Sequence, residues 1–471
     1  MIASTPAGSE SSSNHLDKDF GISETKNIDH RHCKVAYRPL DYSPTPSIFA
    51  RTHQRSNVDF TGFFVLFWVS VGTMILIHSL DNMEKTGKLF GNNIIQFFKM
   101  NLLDLAKADL FMSSLFFVSF PFQKLFSSGT LRWYGSGIFL YSALVLAFLM
   151  HSVLRCCLSD WPWTHRAVFI LHSMDILMKI HSYNTVNGWF SYCYYQARRL
   201  RAKSDSLSEP EKQNLKLCEE SIVEHGKRYP NNLTFSNALT FLFMPILCYQ
   251  LYYPRTPHIR VTYLLECALG TFGCIFLLVV ISENYMIPVL LQAIKWILEA
   301  PEDASTYYFV LQLGKTVTYL MFPFMLSFLI VFWVIFEGIC NFSAEITRFA
   351  DRNFYDDWWN CWTWDQFART WNKPVHYFLL RHVYCPFNNK FSKFTSTTLT
   401  FLVSSILHEL VMGCITKKIR GYGLFFQMTQ IPYMLIQRQK YIRKHRLLGN
   451  VSFWVSIIIG LSLIGVLYIL Y

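Results

Sequence analysis

Residues 399–412 read LTFLVSSILHELVM, and this run decides the class of fold. It belongs to an apolar stretch with the length and character of a membrane helix, interrupted by His408 and Glu409. An ionisable pair at that depth in a bilayer is costly and is by default the mark of a functional site. In a helix, Ser404 and His408 lie four residues apart and share one face.

His408 is the candidate for chemistry in this run. Histidine exchanges a proton near neutral pH, which suits a general base. The alternative is a histidine that is only hydrogen-bonded inside a helix bundle, and the helix alone does not decide between the two.

The second informative stretch is residues 354–360, FYDDWWN, called the FYDDWWN motif below. An aromatic belt at a membrane interface explains its Trp and Tyr residues. It does not explain why Asp356, Asp357 and Asn360 stand among them. The motif is therefore a candidate second half of one site with His408.

Composition places the whole chain in the membrane class. Of 471 residues, 52% are hydrophobic, 17% aromatic and only 16% charged, whereas soluble domains carry about 25% charged residues. Lys and Arg outnumber Asp and Glu by 43 to 31. The excess clusters between apolar segments, which fits positive-inside loops and a phosphate-bearing substrate rather than nucleic acid. The 12 cysteines have no framework spacing, so we expect neither disulfides nor a metal site.

Apolar segments recur along the chain and predict an all-α, polytopic membrane bundle of about nine spans. Residues 1–55 are polar and are predicted to be a disordered cytosolic tail, followed by one membrane domain over 56–471. The insert 191–234 is predicted to be a solvated helical loop. Eleven segments are candidates, and about nine are predicted to span because several are short or polar: 61–80, 110–126, 133–154, 165–180, 235–253, 261–281, 284–299, 316–336, 397–414, 421–437 and 450–471.

Residues 352–395 form a long amphipathic connection before the His408 run. A connection of this length usually has structure of its own or is functional. We expect short helices at the cytosolic surface that bring Asn360 near His408.

The FYDDWWN motif resembles the FYxDWWN signature of the sterol O-acyltransferase branch of the membrane-bound O-acyltransferases, and it matches at all six specified positions. The resemblance extends from about residue 165 onward. It implies a bundle with an internal substrate tunnel, His408 as catalytic base and Asn360 as its partner. It further implies acyl-CoA as a substrate rather than a cofactor, an endoplasmic reticulum membrane location and a homo-oligomer, either a dimer or a tetramer.

The same resemblance and the position of Ser404 one turn before His408 give a set of substrate-binding candidates. These are Phe354, Tyr355, Asp357, Trp358, Trp359, Arg369, Trp371, Asn372, His376, Ser404, Glu409 and Gln430. Glu409 is a candidate for orienting the imidazole, although adjacent helix positions point in different directions.

The resemblance implies transfer of a fatty acyl group from acyl-CoA to an alcohol. The identity of that alcohol, the acceptor, is harder to predict, because the branch also contains acyl-CoA:diacylglycerol acyltransferases. Residues 178–183, MKIHSY, resemble an MKxHSY/F stretch of sterol acyltransferases, which favours a sterol such as ergosterol. A packed or interfacial histidine is the plainer interpretation of His181. Diacylglycerol is the alternative acceptor. A proton-coupled transporter is the alternative of a different class, although no internal repeat supports it.

Overall fold

The computed structural model describes residues 40–48, 61–87, 99–203, 207–439 and 445–470. Its helices are Thr61–Thr86, Leu102–Ser114, Ser119–Ser128, Ile138–Leu158, Trp163–Arg201, Glu209–Ser221, Phe235–Phe243, Val261–Ile281, Ile287–Leu298, Thr306–Trp333, Asn341–Thr347, Trp364–Thr370, Lys373–Leu379, Cys385–Asn388, Lys393–Thr416, Tyr422–Gln437 and Arg446–Leu470. Short 3₁₀ or π turns cover Leu115–Val118, Trp133–Gly137, Ser282–Met286, Val334–Cys340, Trp358–Asn360 and Leu380–Tyr384. An antiparallel hairpin pairs Val223–Glu224 with Lys227–Arg228.

Three helices are named below as the long helix (Trp163–Arg201), the His408 helix (Lys393–Thr416) and the Asn450 helix (Arg446–Leu470). The His408 helix begins where the Oγ of Ser392 accepts a hydrogen bond from the backbone N–H of Thr395 (3.2 Å), an ordinary N-cap. It ends at Lys417, which has the left-handed φ of 58° that often stops a helix. The helix predicted from the apolar run is confirmed.

The all-α membrane architecture is also confirmed. Within the described ranges, five helical runs combine the length and apolarity that crossing a bilayer requires. They are Trp133–Leu158, Val261–Leu298, Thr306–Thr347, Lys393–Thr416 and Arg446–Leu470. Segments 261–281 and 284–299, predicted as separate spans, are joined into one run by the π turn Ser282–Met286.

The predicted span 235–253 is wrong. Only Phe235–Phe243 is helical, which is too short to cross a bilayer. Pro245 disfavours helical backbone at Met244 and lacks an N–H of its own, and Met244 is extended (φ −68°, ψ 140°). The buried chain that follows is held instead by polar partners. The carboxylate of Glu224, for example, accepts the backbone N–H of Leu251 (3.1 Å).

Part of the predicted disordered tail is packed against the protein. In the 40–48 segment, the ring of Tyr42 contacts those of Tyr253 (5.8 Å) and Phe349 (5.7 Å). The amide of Gln250 donates to the carbonyl of Leu40 (2.8 Å). A partly buried aromatic ring and a hydrogen bond from Gln250 thus hold a stretch whose composition predicts disorder. Residues 1–39 and 49–55 of that prediction lie outside the described residues.

The 191–234 insert contains the end of the long helix and the elements that follow it. The long helix continues to Arg201, and the helix Glu209–Ser221 and the hairpin follow it. Ser208 and Glu211 form a capping box at the start of the second helix. The predicted helical loop is therefore a helix that packs on the long helix, followed by a hairpin that contacts this second helix.

Candidate active site

His408 is held in one tautomer. Its Nδ1 lies 2.8 Å from the backbone carbonyl oxygen of Ser404. A carbonyl only accepts, so Nδ1 carries the proton and donates. In the neutral ring this leaves the lone pair on Nε2 as the acceptor. The helix backbone therefore presents Nε2 as a base.

The His408 ring lies on an exposed face of its helix, whereas Ser405 and Glu409 on the neighbouring face are buried. Leu407 and Leu410 pack against the main hydrophobic core of the protein, and Trp359 of the FYDDWWN motif packs against the same core. The helix is thus fixed on one side and leaves the imidazole open on the other. A shared core, rather than a hydrogen bond, links it to the motif.

The turn that carries Asn360 is clamped by the Asn450 helix. The amide of Asn450 donates to the carbonyls of Trp359 (3.1 Å) and Cys361 (2.7 Å). The indole Nε1 of Trp454 donates to the same Trp359 carbonyl (3.2 Å). These bonds satisfy one carbonyl within the short 3₁₀ turn Trp358–Asn360 and one immediately after it, and buried backbone groups need such partners.

This clamp requires a close approach of two backbones at Gly449. A Cβ added there would stand 2.7 Å from the carbonyl oxygen of Trp362. We expect Gly449→Ala to lower the free energy of unfolding by about 1–3 kcal/mol, because the extra methyl overpacks the contact. Thermal unfolding of the purified protein in detergent measures this.

Gly460 in the same helix is the matched control, because a Cβ there meets nothing within 4 Å. Gly460→Ala should be neutral or stabilising by up to about 1 kcal/mol, since alanine favours helix over glycine. Equal melting temperatures for the two variants would contradict the clamp.

The first half of the motif is fixed by a buried carboxylate. Glu337, 8% exposed, accepts hydrogen bonds from the hydroxyl of Tyr355 (2.6 Å) and the amide of Asn341 (3.1 Å). The hydroxyl of Ser47 in the 40–48 segment donates to the same carboxylate. Glu337 therefore ties the motif to a residue that lies 290 positions before Glu337 in sequence.

Trp358 is the aromatic centre beneath the turn. It is 1% exposed, and its ring contacts those of Phe332 (5.2 Å), Trp371 (5.2 Å) and Trp454 (5.7 Å). Trp371 in turn stacks on Phe328 at 4.7 Å and 11°. Aromatic rings of this size bury a large apolar area in fixed geometry, so they hold the turn rigidly.

Asn360 itself points outward. Its side chain is exposed, and its Nδ2 donates to the carboxylate of Asp357 (3.3 Å). An amide nitrogen has two N–H groups, so this contact orients the side chain and leaves one N–H for another acceptor. The motif thus offers a positioned amide donor on a rigid turn.

Comparison with known proteins identifies the family of the chain. The family model described as "MBOAT, membrane-bound O-acyltransferase family" matches residues 168–470. The chain belongs to the membrane-bound O-acyltransferase family. The matched range contains both His408 and the FYDDWWN motif, so the resemblance drawn from those residues is confirmed.

Several individual proteins are similar in sequence to this membrane-bound O-acyltransferase. It is 68% identical over 472 residues to "Probable sterol O-acyltransferase 2" of Schizosaccharomyces pombe, with all of both chains covered. It is 34% identical over 434 residues to "Sterol O-acyltransferase 2" of Saccharomyces cerevisiae, covering 87% of this chain and 66% of that one. A third relative, "Diacylglycerol O-acyltransferase 1" of Dictyostelium discoideum, is 38% identical over 241 residues, or 51% of this chain and 37% of the other.

Membership of an acyltransferase family makes the chain an enzyme and leaves the transporter interpretation without support.

The structure divides the residues predicted for the site into those with accessible polar groups and those buried in the core. His408, Ser404, Asn360 and Asp357 present polar groups in fixed orientations. Phe354, Tyr355 and Trp358 are at most 2% exposed, so they support the turn from the core rather than face an open site. In the described part of the chain, no hydrogen bond joins Asn360 to His408.

Glu409 does not orient the imidazole. Its carboxylate accepts the backbone N–H groups of Gly421 (2.7 Å) and Arg420 (3.1 Å) and the hydroxyl of Tyr468 (2.7 Å). The N–H of Leu424 adds a fourth contact (3.3 Å). A carboxylate at a helix N-terminus satisfies orphan donors and the helix dipole. Glu409 therefore anchors the helix Tyr422–Gln437, which is the correction that the structure makes to the sequence-based expectation.

The remaining predicted residues have local roles. Arg369 pairs with Asp365 (2.9 Å), and Asn372 caps the helix Lys373–Leu379 by accepting the N–H of Val375 (3.1 Å). Burial, aided by the charge of Arg369, lowers the pKa of His376 to about 4, so this ring is neutral at physiological pH. The amide of Gln430 donates to Gln427 (3.3 Å). None of these contacts involves His408.

Sequence reasoning missed Glu337, Ser47, Asn450 and Trp454. Glu337 carries a usable signal, because it is an acid inside an apolar run and such residues mark functional or structural networks. Asn450 and Ser47 carry none, since single polar residues beside apolar segments are common.

Proposed function

We propose that this chain is an acyl-CoA:sterol O-acyltransferase that makes steryl esters for storage. The observation that carries the chemistry is the His408 tautomer, with Nδ1 tied to the Ser404 carbonyl and Nε2 free to accept a proton. The sterol acceptor is supported by the Schizosaccharomyces and Saccharomyces relatives, which are named as sterol O-acyltransferases. In keeping with the family resemblance, we place the enzyme in the endoplasmic reticulum membrane as a homo-oligomer. The internal tunnel stays a prediction.

The proposed reaction begins with the acceptor alcohol. Nε2 of His408 takes the hydroxyl proton as the alcohol oxygen attacks the thioester carbonyl. The tetrahedral intermediate then collapses: the carbon–sulfur bond breaks, the ester is released, and the coenzyme A thiolate recovers the proton from the imidazolium. The acyl group thus moves from sulfur to oxygen, and the proton moves from the alcohol to the thiolate.

Asn360 is the proposed stabiliser of the negative oxygen in that intermediate. The N–H that is not bonded to Asp357 is available for this role. Asp357 then acts as a positioning residue because it fixes the amide. Ser404 acts through its backbone carbonyl, which sets the tautomer of His408.

Microsomes from a host without acyltransferases of its own test the proposal. They would express the chain and receive labelled oleoyl-CoA with either ergosterol or diacylglycerol. We expect labelled steryl ester, with at least about 100-fold less from Asn360→Ala because one oxyanion donor is worth that much. Labelled triacylglycerol alone would overturn the sterol acceptor and keep the acyl transfer. No product with either acceptor, from protein shown to be folded, would overturn the function.

A further inference from the structure

A cavity of about 160 Å³ lies where the long helix, the helix Glu209–Ser221 and the hairpin meet. Arg198 and Arg201 come from the last turn of the long helix, and Arg228 comes from the hairpin. Tyr194 and Glu219 complete the polar wall. None of these residues belongs to the candidate active site.

The charge of the cavity is unbalanced. Arg201 is paired with Glu219 at 2.6 Å, so this carboxylate is already occupied. Among the residues that the structure describes, Arg198 and Arg228 have no carboxylate partner. Three guanidinium groups and one carboxylate therefore line a small opening, which leaves a surplus of two positive charges.

The helix dipole explains only part of this arrangement. Basic residues are favourable in the last turn of a helix, which accounts for the presence of Arg198, Arg199 and Arg201 there. It does not account for Arg228, which arrives from the hairpin. Arg199 also lies in that turn but does not line the cavity.

The floor of the cavity strengthens the field of these charges. Ala197 and Ile222 line it and are 4% and 1% exposed. Apolar, buried atoms lower the local dielectric, and charge interactions there are stronger than in open solvent. An anion bound in the cavity would therefore gain more than one on the surrounding surface.

We propose that Arg198, Arg201 and Arg228 form a binding site for a phosphate monoester. The planar guanidinium group binds phosphate oxygens through paired N–H groups. Complete small-molecule sites measure about 300–1,000 Å³, so a cavity of this size takes a terminal phosphate rather than a whole ligand. That phosphate belongs either to a phospholipid headgroup or to a nucleotide such as the coenzyme A part of an acyl donor.

Binding to the intact enzyme purified in detergent tests the site without relying on acyl transfer. The probes are dioctanoyl phosphatidic acid and adenosine 3′,5′-bisphosphate, with dioctanoyl phosphatidylcholine as the reference lipid. We expect the double variant Arg198→Gln/Arg228→Gln to raise the Kd of the preferred probe ten-fold or more. The change removes charge-assisted hydrogen bonds to the phosphate, which are stronger than hydrogen bonds between neutral groups. Both arginines are exposed, and the melting temperature of each variant checks folding.

The matched control is Arg199→Gln/Lys227→Gln, which removes the same charge from the two neighbouring positions. It should leave the Kd within about two-fold of the wild type, because neither residue lines the cavity and separated surface charges are screened by salt. Tighter binding of phosphatidic acid identifies a lipid ligand, and tighter binding of the bisphosphate identifies a nucleotide. Equal losses in both double variants, or no probe binding above phosphatidylcholine, would refute the site.

Discussion

Replacing His408 with alanine is expected to reduce ester formation by at least about 100-fold, because a positioned general base contributes that much or more to the rate. The ring lies on an exposed face, so its removal leaves the core packing of the helix in place. Protein abundance and melting temperature should therefore stay near those of the wild type. Labelled ester per unit of folded protein is the measurement.

Ile406→Ala is the matched control for this experiment. Ile406 lies in the same helix and is 50% exposed, so its truncation alters the helix surface without removing a titratable group. It should retain activity close to that of the wild type. Undiminished ester formation by His408→Ala would refute the assignment of the base.

Replacing Glu409 with alanine should damage stability rather than chemistry. The change leaves the Tyr468 hydroxyl and the backbone N–H groups at the start of Tyr422–Gln437 without their acceptor. Unpaired buried donors carry a desolvation penalty, so we expect a loss of about 3 kcal/mol. Thermal unfolding in detergent should show it, while activity per folded molecule should be largely preserved.

Glu299→Ala provides the comparison for a carboxylate outside such a network. The side chain of Glu299 is 66% exposed, and its pair with Lys295 spans 3.8 Å. Exposed pairs contribute about 0–1 kcal/mol, so this variant should melt close to the wild type. A Glu409→Ala protein with wild-type stability and no activity would return Glu409 to the chemistry.

The sequence was a good guide wherever the signal was local. The apolar run predicted the His408 helix, and the helical repeat predicted that Ser404 and His408 share a face. The Ser404 atom nearest the ring is the backbone carbonyl oxygen (2.8 Å), which any residue would supply, whereas its hydroxyl oxygen lies farther from Nδ1 (3.5 Å). Side-chain identity at 404 therefore carried less information than its spacing.

Long-range partners were beyond the sequence. The FYDDWWN motif does not reveal that Tyr355 bonds to Glu337 or that Asn450 holds Trp359, because those pairings depend on how helices pack. The partners of the Glu409 carboxylate also depend on packing, because the position of the next helix determines them. The predicted span 235–253 was wrong because the prediction gave more weight to the apolarity of the whole segment than to Pro245, which disfavours a continuous helix.

The Asn450 clamp has a consequence for biogenesis. Trp359 precedes Asn450 by 91 residues, and the ribosome adds about 5–20 residues per second. For some seconds the turn that carries Asn360 therefore exists in the nascent chain without its anchor. The anchor of this turn can form only after residue 450 has been synthesised, so we expect a chain truncated before the Asn450 helix to lack the fixed Asn360 turn.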